Sequence, residues 1–171
     1  MVEQREIMND HPDERRTVSF EETLTALLTT PSAGEKITHL TSLAAMNGRR
    51  AIPHLIAALR DDDKTVRASA SALLTRIGEV AIPELAAVQK DQWWVVRYRA
   101  CEALGEMKNP QTLPHLRRSV QDERDHVRYM AAKGLGSLGN PAAIEDITPL
   151  LDDENPYVRD MAERAIQSLR G

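Results

Sequence analysis

Four times along this chain an aspartate precedes a Val-Arg pair by five residues: Asp61 with Val66-Arg67, Asp91 with Val96-Arg97, Asp122 with Val127-Arg128, and Asp153 with Val158-Arg159. Carboxylates at fixed spacing from guanidinium groups invite an acid–base or anion-binding reading. Their recurrence at intervals of 30, 31 and 31 residues points instead to a structural period. Gly134-Leu135-Gly136-Ser137-Leu138-Gly139 fits the G-x-G-x-x-G string that cradles a dinucleotide pyrophosphate. That chemistry needs a strand before the string and a helix N-terminus after it. Here the string ends an apolar helical stripe, so the glycines are expected to allow close helix approach and then a helix stop. His54 and His115 share a column of the repeat, with Glu84 and Asp146 at the equivalent positions. Packed helices stand about 8–10 Å apart, too far for side chains two repeats apart to share an ion at about 2 Å. Solvated histidines on outer helices are expected there. Cys101 has no evident His and Asp or Asn partner, so a nucleophile is not expected. No catalytic, metal or cofactor residue is assigned.

The apolar columns decide the local structure. Aligning the units on Val-Arg stacks Ile52, Ile82, Leu113 and Ile144; Leu55, Leu85, Leu116 and Ile147; and Leu74, Leu104, Leu135 and Ile166. Within one unit Ile52, Leu55 and Leu59 form one helical stripe, and Val66, Ala70, Leu73, Leu74 and Ile77 form another, joined by the polar turn Asp61-Asp62-Asp63. Each unit is therefore helix–turn–helix. Burial of a Leu or Ile is worth about 1.5–3 kcal/mol, and these stripes are covered only when units stack. The predicted fold is all-α: a solenoid of about five helix pairs, wound as a right-handed superhelix.

Helix stop signals at Gly78, Asn109-Pro110 and Gly139-Asn140-Pro141 separate the units. Pro53, Pro83 and Pro114 are expected near the start of each first helix, where a missing N–H costs least. Upstream, Ser19 and Glu22 have capping-box spacing and open a helix to about Leu28. Thr30-Pro31 breaks it, and a second helix runs over 35–46. The predicted organisation is a charged arm over 1–19, a degenerate cap repeat over 20–48, and regular repeats over 49–78, 79–108, 109–139 and 140–171. A terminal repeat with one unpartnered side is expected to diverge in this way.

These residues resemble the HEAT-repeat family, in its short form also called the PBS-lyase HEAT-like repeat. The phrases Ala51-Ile52-Pro53-His54-Leu55 with Asp61…Val66-Arg67, and Thr112-Leu113-Pro114-His115-Leu116 with Asp122…Val127-Arg128, carry the resemblance over residues 35–171. It implies that the Asp and Arg columns (Asp61, Arg67, Asp91, Arg97, Asp122, Arg128, Asp153 and Arg159) form a hydrogen-bonded ladder between repeats. It also implies second helices that line a concave face. Deoxyhypusine hydroxylase, an iron enzyme with HEAT-like repeats, relies on His-Glu dipeptides, and none of the five histidines here precedes Glu.

On the expected concave face the columns read Ala68, Tyr98, Tyr129, Asp160; Ala72, Glu102, Lys133, Arg164; and Thr75, Gly105, Gly136, Gln167. The middle units thus present two tyrosines flanked by charge beside a glycine-lined strip. Trp93 and Trp94 occupy turn positions that elsewhere hold Asp63 and Lys64. Trp93, Trp94, Tyr98, Arg99, Glu102, Tyr129 and Lys133 are therefore the expected partner-binding set, since Trp, Tyr and Arg dominate interface hot spots.

Three functions fit that surface. The first is a non-catalytic scaffold holding a protein or peptide. The second, suggested by the repeat type, is an accessory subunit of phycobilin lyase type that handles a chromophore. The third is a HEAT-like damaged-DNA binder, against which a net charge of −4 argues. A single cysteine rules out an intrachain disulfide framework, no apolar run approaches a membrane span, and the charged first residues do not read as a signal peptide. A cytoplasmic protein is expected.

Overall fold

The computed structural model describes residues 18–171. The expected N-terminal arm lies outside them apart from Val18 and Ser19. Ten α-helices and no strand occur among the described residues. They pair in chain order: α1 (Phe20–Thr29) with α2 (Ala33–Met46), α3 (Gly48–Ala58) with α4 (Lys64–Ile77), α5 (Ile82–Val88) with α6 (Trp94–Glu106), α7 (Leu113–Ser119) with α8 (Asp125–Leu138), and α9 (Ile144–Ile147) with α10 (Pro156–Arg170). The even-numbered helices pack on one another in succession as an inner layer. The odd-numbered ones cover them from outside, which makes the molecule an α-solenoid.

Local chemistry sets the helix ends. Ser19 Oγ accepts from the Glu22 amide at 3.2 Å, and Glu22 Oε2 accepts from the Ser19 amide at 2.9 Å, closing the capping box. Asn155 caps α10, accepting the Tyr157 N–H at 2.9 Å, and Pro156 fills the first helical position. Gly78 and Gly139 end α4 and α8 at φ of 82° and 70°, where a Cβ would be strained.

Two outer helices depart from expectation. Pro53 lies inside α3, because Asn47 accepts the Arg50 N–H at 3.0 Å and starts that helix a turn earlier. In the next three units the equivalent turn is 3-10 (Glu79–Ala81, Pro110–Thr112, Pro141–Ala143), which places Pro83 and Pro114 in the first α-helical turn. In the last unit Pro149 cuts α9 to four residues, and a 3-10 segment, Thr148–Asp152, continues the outer layer.

The repeat columns form one continuous core. Leu40, Leu43, Leu55, Leu59, Leu74, Leu85, Leu104, Leu116, Leu135 and Ile147 are fully buried, as are Val66 and Val96 in the Val-Arg column. The inner layer tightens along the chain. A Cβ on Gly105 of α6 would stand 2.7 Å from Gly134 Cα of α8, and one on Gly136 would stand 2.9 Å from Ala165 Cβ of α10. Here only glycine lets the two inner-helix backbones approach this closely. The same geometry narrows an expectation: Gly105 and Gly136 are both buried between inner helices, and only Gly136 also borders a shallow recess on the surface.

Candidate functional site

Each turn inside a repeat is held by its aspartate. Oδ1 of Asp61, Asp91, Asp122 and Asp153 accepts the backbone N–H two residues on, in every case at 2.9 Å. The arginine six residues on donates Nη1 back to the carbonyl of that aspartate, at 2.7, 2.8, 2.9 and 2.6 Å for Arg67, Arg97, Arg128 and Arg159. The motif is therefore first a device for closing its own turn.

Between repeats the pattern is uneven. Arg97 grips Asp122 through Nε and Nη2, both at 2.8 Å, and reaches Glu123 at 3.0 Å. Arg128 grips Asp153 at 2.6 and 2.9 Å, and this guanidinium hydrogen bond holds the Asp153 carboxyl below its ordinary range. One junction earlier the arrangement changes. Asp91 is paired with Arg60, and Asp61 with Lys36 Nζ at 2.6 Å. Arg67 instead lies over the Trp93 ring, 5.3 Å from its centroid, with its Nε buried and without a partner among the described residues. Arg159 has no carboxylate partner among the described residues.

The expected partner-binding residues divide into three places. Trp93, 37% exposed, belongs with Arg67 and the turn, where it caps α6 without a side-chain hydrogen bond. Lys133 is exposed at a shallow recess between α8 and α10, shared with Ser137, Met161, Arg164 and Ser168. Trp94, Tyr98, Arg99, Glu102 and Tyr129 stay together. Trp94 meets Tyr98 edge-on at 6.5 Å and His126 at 5.0 Å, with Arg124 5.2 Å from its centroid. Arg99 lies 5.4 Å from the Tyr98 centroid and donates Nη1 to Glu102 at 2.8 Å, and Glu102 also accepts from Ser71 at 2.9 Å. Arg99 and Glu102 thus brace Tyr98 rather than stand free, and burial pushes the Tyr98 phenol up from its ordinary range.

Beside them lies an open groove of about 410 Å³, lined by Tyr98, Asp125, His126, Tyr129, Asn155, Tyr157 and Val158. It runs across the first turns of α8 and α10. Asp125 is its fixed charge. Its Oδ1 accepts both the amide and Nδ1–H of His126, at 2.8 and 2.7 Å, and its Oδ2 accepts from Asn155 Nδ2. The hydrogen bond from the His126 ring is the main cause of a carboxyl pKa of about 2. Tyr157 is 74% exposed. The sequence reading missed Asp125, His126, Asn155 and Tyr157, although a signal existed. Thr65, Val95, His126 and Tyr157 form a column three residues before Ala68, Tyr98, Tyr129 and Asp160, so both columns share a helix face.

Among the described residues, no nucleophile–base pair lines this groove, and no group of three or more potential ligands could hold a metal ion. Cys101 is wholly buried, and burial pushes its thiol up to about 12. His54 and His115 are half-buried rather than solvated: His54 lies against Phe20, and His115 Nδ1 is buried without a partner among the described residues. No described helix is long and apolar enough to cross a membrane.

A family model described as HEAT repeats matches residues 20–97 and 82–167. No curated protein matches the chain. Among solved structures, human deoxyhypusine hydroxylase in complex with glycerol is similar with a TM-score of 0.61 at 22% identity, covering 75% of this chain and 46% of its own. The complex of CpcE and CpcF of phycocyanin lyase from Nostoc sp. PCC7120 is similar with a TM-score of 0.61 at 21% identity, covering 96% of this chain and 70% of its own. A designed armadillo repeat protein in complex with the peptide (KR)4 is similar with a TM-score of 0.50 at 16% identity, covering 90% of this chain and 87% of its own. The chain thus spans under half the length of the hydroxylase, and at these identities the likenesses are of fold alone.

Proposed function

This chain belongs to the HEAT-repeat family, and from that premise we propose that it is a non-catalytic scaffold holding a protein or peptide segment along its inner helices. One observation carries the reading. Trp94, Tyr98, Tyr129 and Tyr157, four of the six aromatic side chains, gather in the first two turns of three successive inner helices. None of the four belongs to the fully buried core, although Tyr98 and Tyr129 pack against its edge, and three of the four line the same open groove. Aromatic side chains offer large contact area at low entropic cost, which is why they anchor interfaces. A groove that crosses several repeats suits an extended segment, with successive partner residues meeting successive helices.

The chromophore-handling alternative fits the groove less well. A bilin carries two propionates, whereas the described residues lining the groove include the ionised Asp125 and no lysine or arginine. The same carboxylate would repel a nucleic-acid backbone.

The test is selection of random peptides on the immobilised chain, followed by titration against Tyr98→Ala/Tyr129→Ala. Selected peptides should bind the double variant at least tenfold more weakly while its helical circular dichroism is unchanged. Peptides that bind both proteins equally would move the interface elsewhere.

A further inference from the structure

Four of the chain's arginines reveal what its aromatic rings accept, and two rings remain without one among the described residues. Arg50 lies 4.2 Å from the Phe20 centroid, Arg67 5.3 Å from Trp93, Arg124 5.2 Å from Trp94 and Arg99 5.4 Å from Tyr98; Arg97 and Arg128 show the companion preference for carboxylates gripped by two nitrogens. Four of the six rings thus carry a guanidinium. The two without one among the described residues are Tyr129 and Tyr157, and both line the groove that holds Asp125.

The carboxylate beside them is incompletely satisfied. A carboxylate offers about four acceptor positions. Asp125 uses two on Oδ1, for the His126 amide and ring, and one on Oδ2, for Asn155. One acceptor position on Oδ2 is left by the described residues. Its two side-chain donors, His126 and Asn155, hold it in place at the groove wall, with no lysine or arginine among the described residues lining the same space. Aromatic faces attract cations, and more strongly where water is partly excluded. A charge-assisted hydrogen bond to a fixed carboxylate supplies direction as well as energy.

We propose that this groove receives a cationic side chain of the partner peptide, arginine above lysine, seated against Tyr129 and Tyr157 and hydrogen-bonded to Asp125. The inference rests on the reading of the groove as the binding surface and adds the chemistry of its occupant. Arginine is favoured because its planar guanidinium can stack on a tyrosine while an edge N–H reaches the carboxylate, whereas an ammonium offers only a point charge. His126 and Asn155 act as positioning residues that aim the carboxylate.

The experiment uses the full chain and hexapeptide pools with random flanks and one fixed central residue, either arginine, lysine, glutamate or leucine, with affinity read by biolayer interferometry. Arginine pools should bind tightest and lysine pools next. Asp125→Asn should weaken arginine binding at least tenfold, while Asp62→Asn, which removes an equal charge on an exposed turn outside the groove, should leave it unchanged. Wild-type affinity for arginine pools should also fall between about 50 and about 300 mM salt, and the fall should be shallower in Asp125→Asn. Leucine or glutamate pools that bind tightest, indifferent to Asp125→Asn but lost in Tyr129→Ala, would overturn the cation and keep the groove. Pools that bind wild type and Tyr98→Ala/Tyr129→Ala alike would overturn both.

Discussion

Asp122→Ala tests whether the recurrent aspartates are structural. The side chain of Asp122 is 11% exposed and that of its partner Arg97 is 8% exposed. Removing the carboxylate deletes two charge-assisted bonds at 2.8 Å and the turn-closing bond from the Arg124 amide at 2.9 Å. Breaking one side of a buried ion pair costs about 3–5 kcal/mol, and a lost neutral hydrogen bond about 1 kcal/mol. Arg97 keeps Glu123 and the carbonyls of Asp91 and Gln92, which offsets part of that loss, so a net cost of about 2–4 kcal/mol is expected. With a urea slope of about 2 kcal/mol/M, the midpoint should fall by roughly 1–2 M. Asp146→Ala is the internal control. Its partner Arg117 is 42% exposed, so its loss should cost no more than about 1 kcal/mol. Urea melts of both variants, followed by helical circular dichroism and by tryptophan emission from the neighbouring turn, give the comparison. An Asp122→Ala cost below about 0.5 kcal/mol, or no larger than that of Asp146→Ala, would refute the structural role of the column. So would loss of peptide binding at unchanged stability.

Three further outcomes follow from the geometry. Gly105→Ala should destabilise despite alanine's helix-propensity gain of about 1 kcal/mol, because its Cβ would meet the Gly134 backbone at 2.7 Å, whereas Gly34→Ala, with only Ser32 Oγ at 3.9 Å, should stabilise; thermal melts decide both signs. The Asp153 carboxyl is depressed below its ordinary 3.8 by its bond to Arg128, so its contribution is present above that value and lost as pH falls through the depressed one. Stability measured from about pH 5 down to about pH 2 should therefore fall less steeply in Asp153→Asn than in wild type. Cys101, wholly buried with its thiol pushed up to about 12, should react with a thiol reagent only as the fold opens, its rate rising with urea; rapid labelling in buffer would contradict its placement.

The solenoid was legible because burial repeats. Leu55, Leu85, Leu116 and Ile147 return at a fixed interval, and no other arrangement covers so many aliphatic side chains on both helices of each unit. The groove was legible only in part. Tyr98 and Tyr129 were placed on the open face by opposing them to the core stripe of α6 and α8. The same projection missed His126 and Tyr157, which lie in the first turns and open toward the groove at the helix ends. It also misassigned Gly105, since a helix viewed alone does not reveal the flanks covered by the inner helices before and after it. Trp93 and Trp94 are adjacent in sequence but part in space: one stays with Arg67 at the turn and the other joins Tyr98 and His126. The register alone does not state the shift at Asp91, where Arg60 occupies the carboxylate that the repeat pattern assigns to Arg67.

The most direct test of a groove that holds a partner segment is tryptophan emission in a Trp93→Phe background, where Trp94 is the sole reporter and sits 6.5 Å from Tyr98 and 5.0 Å from His126. Titration with a selected arginine-bearing peptide should give a saturable change in Trp94 emission, abolished by Tyr129→Ala/Tyr157→Ala without loss of helicity. A peptide that binds with undiminished affinity in that variant, or that saturates while Trp94 emission stays constant, would contradict the account.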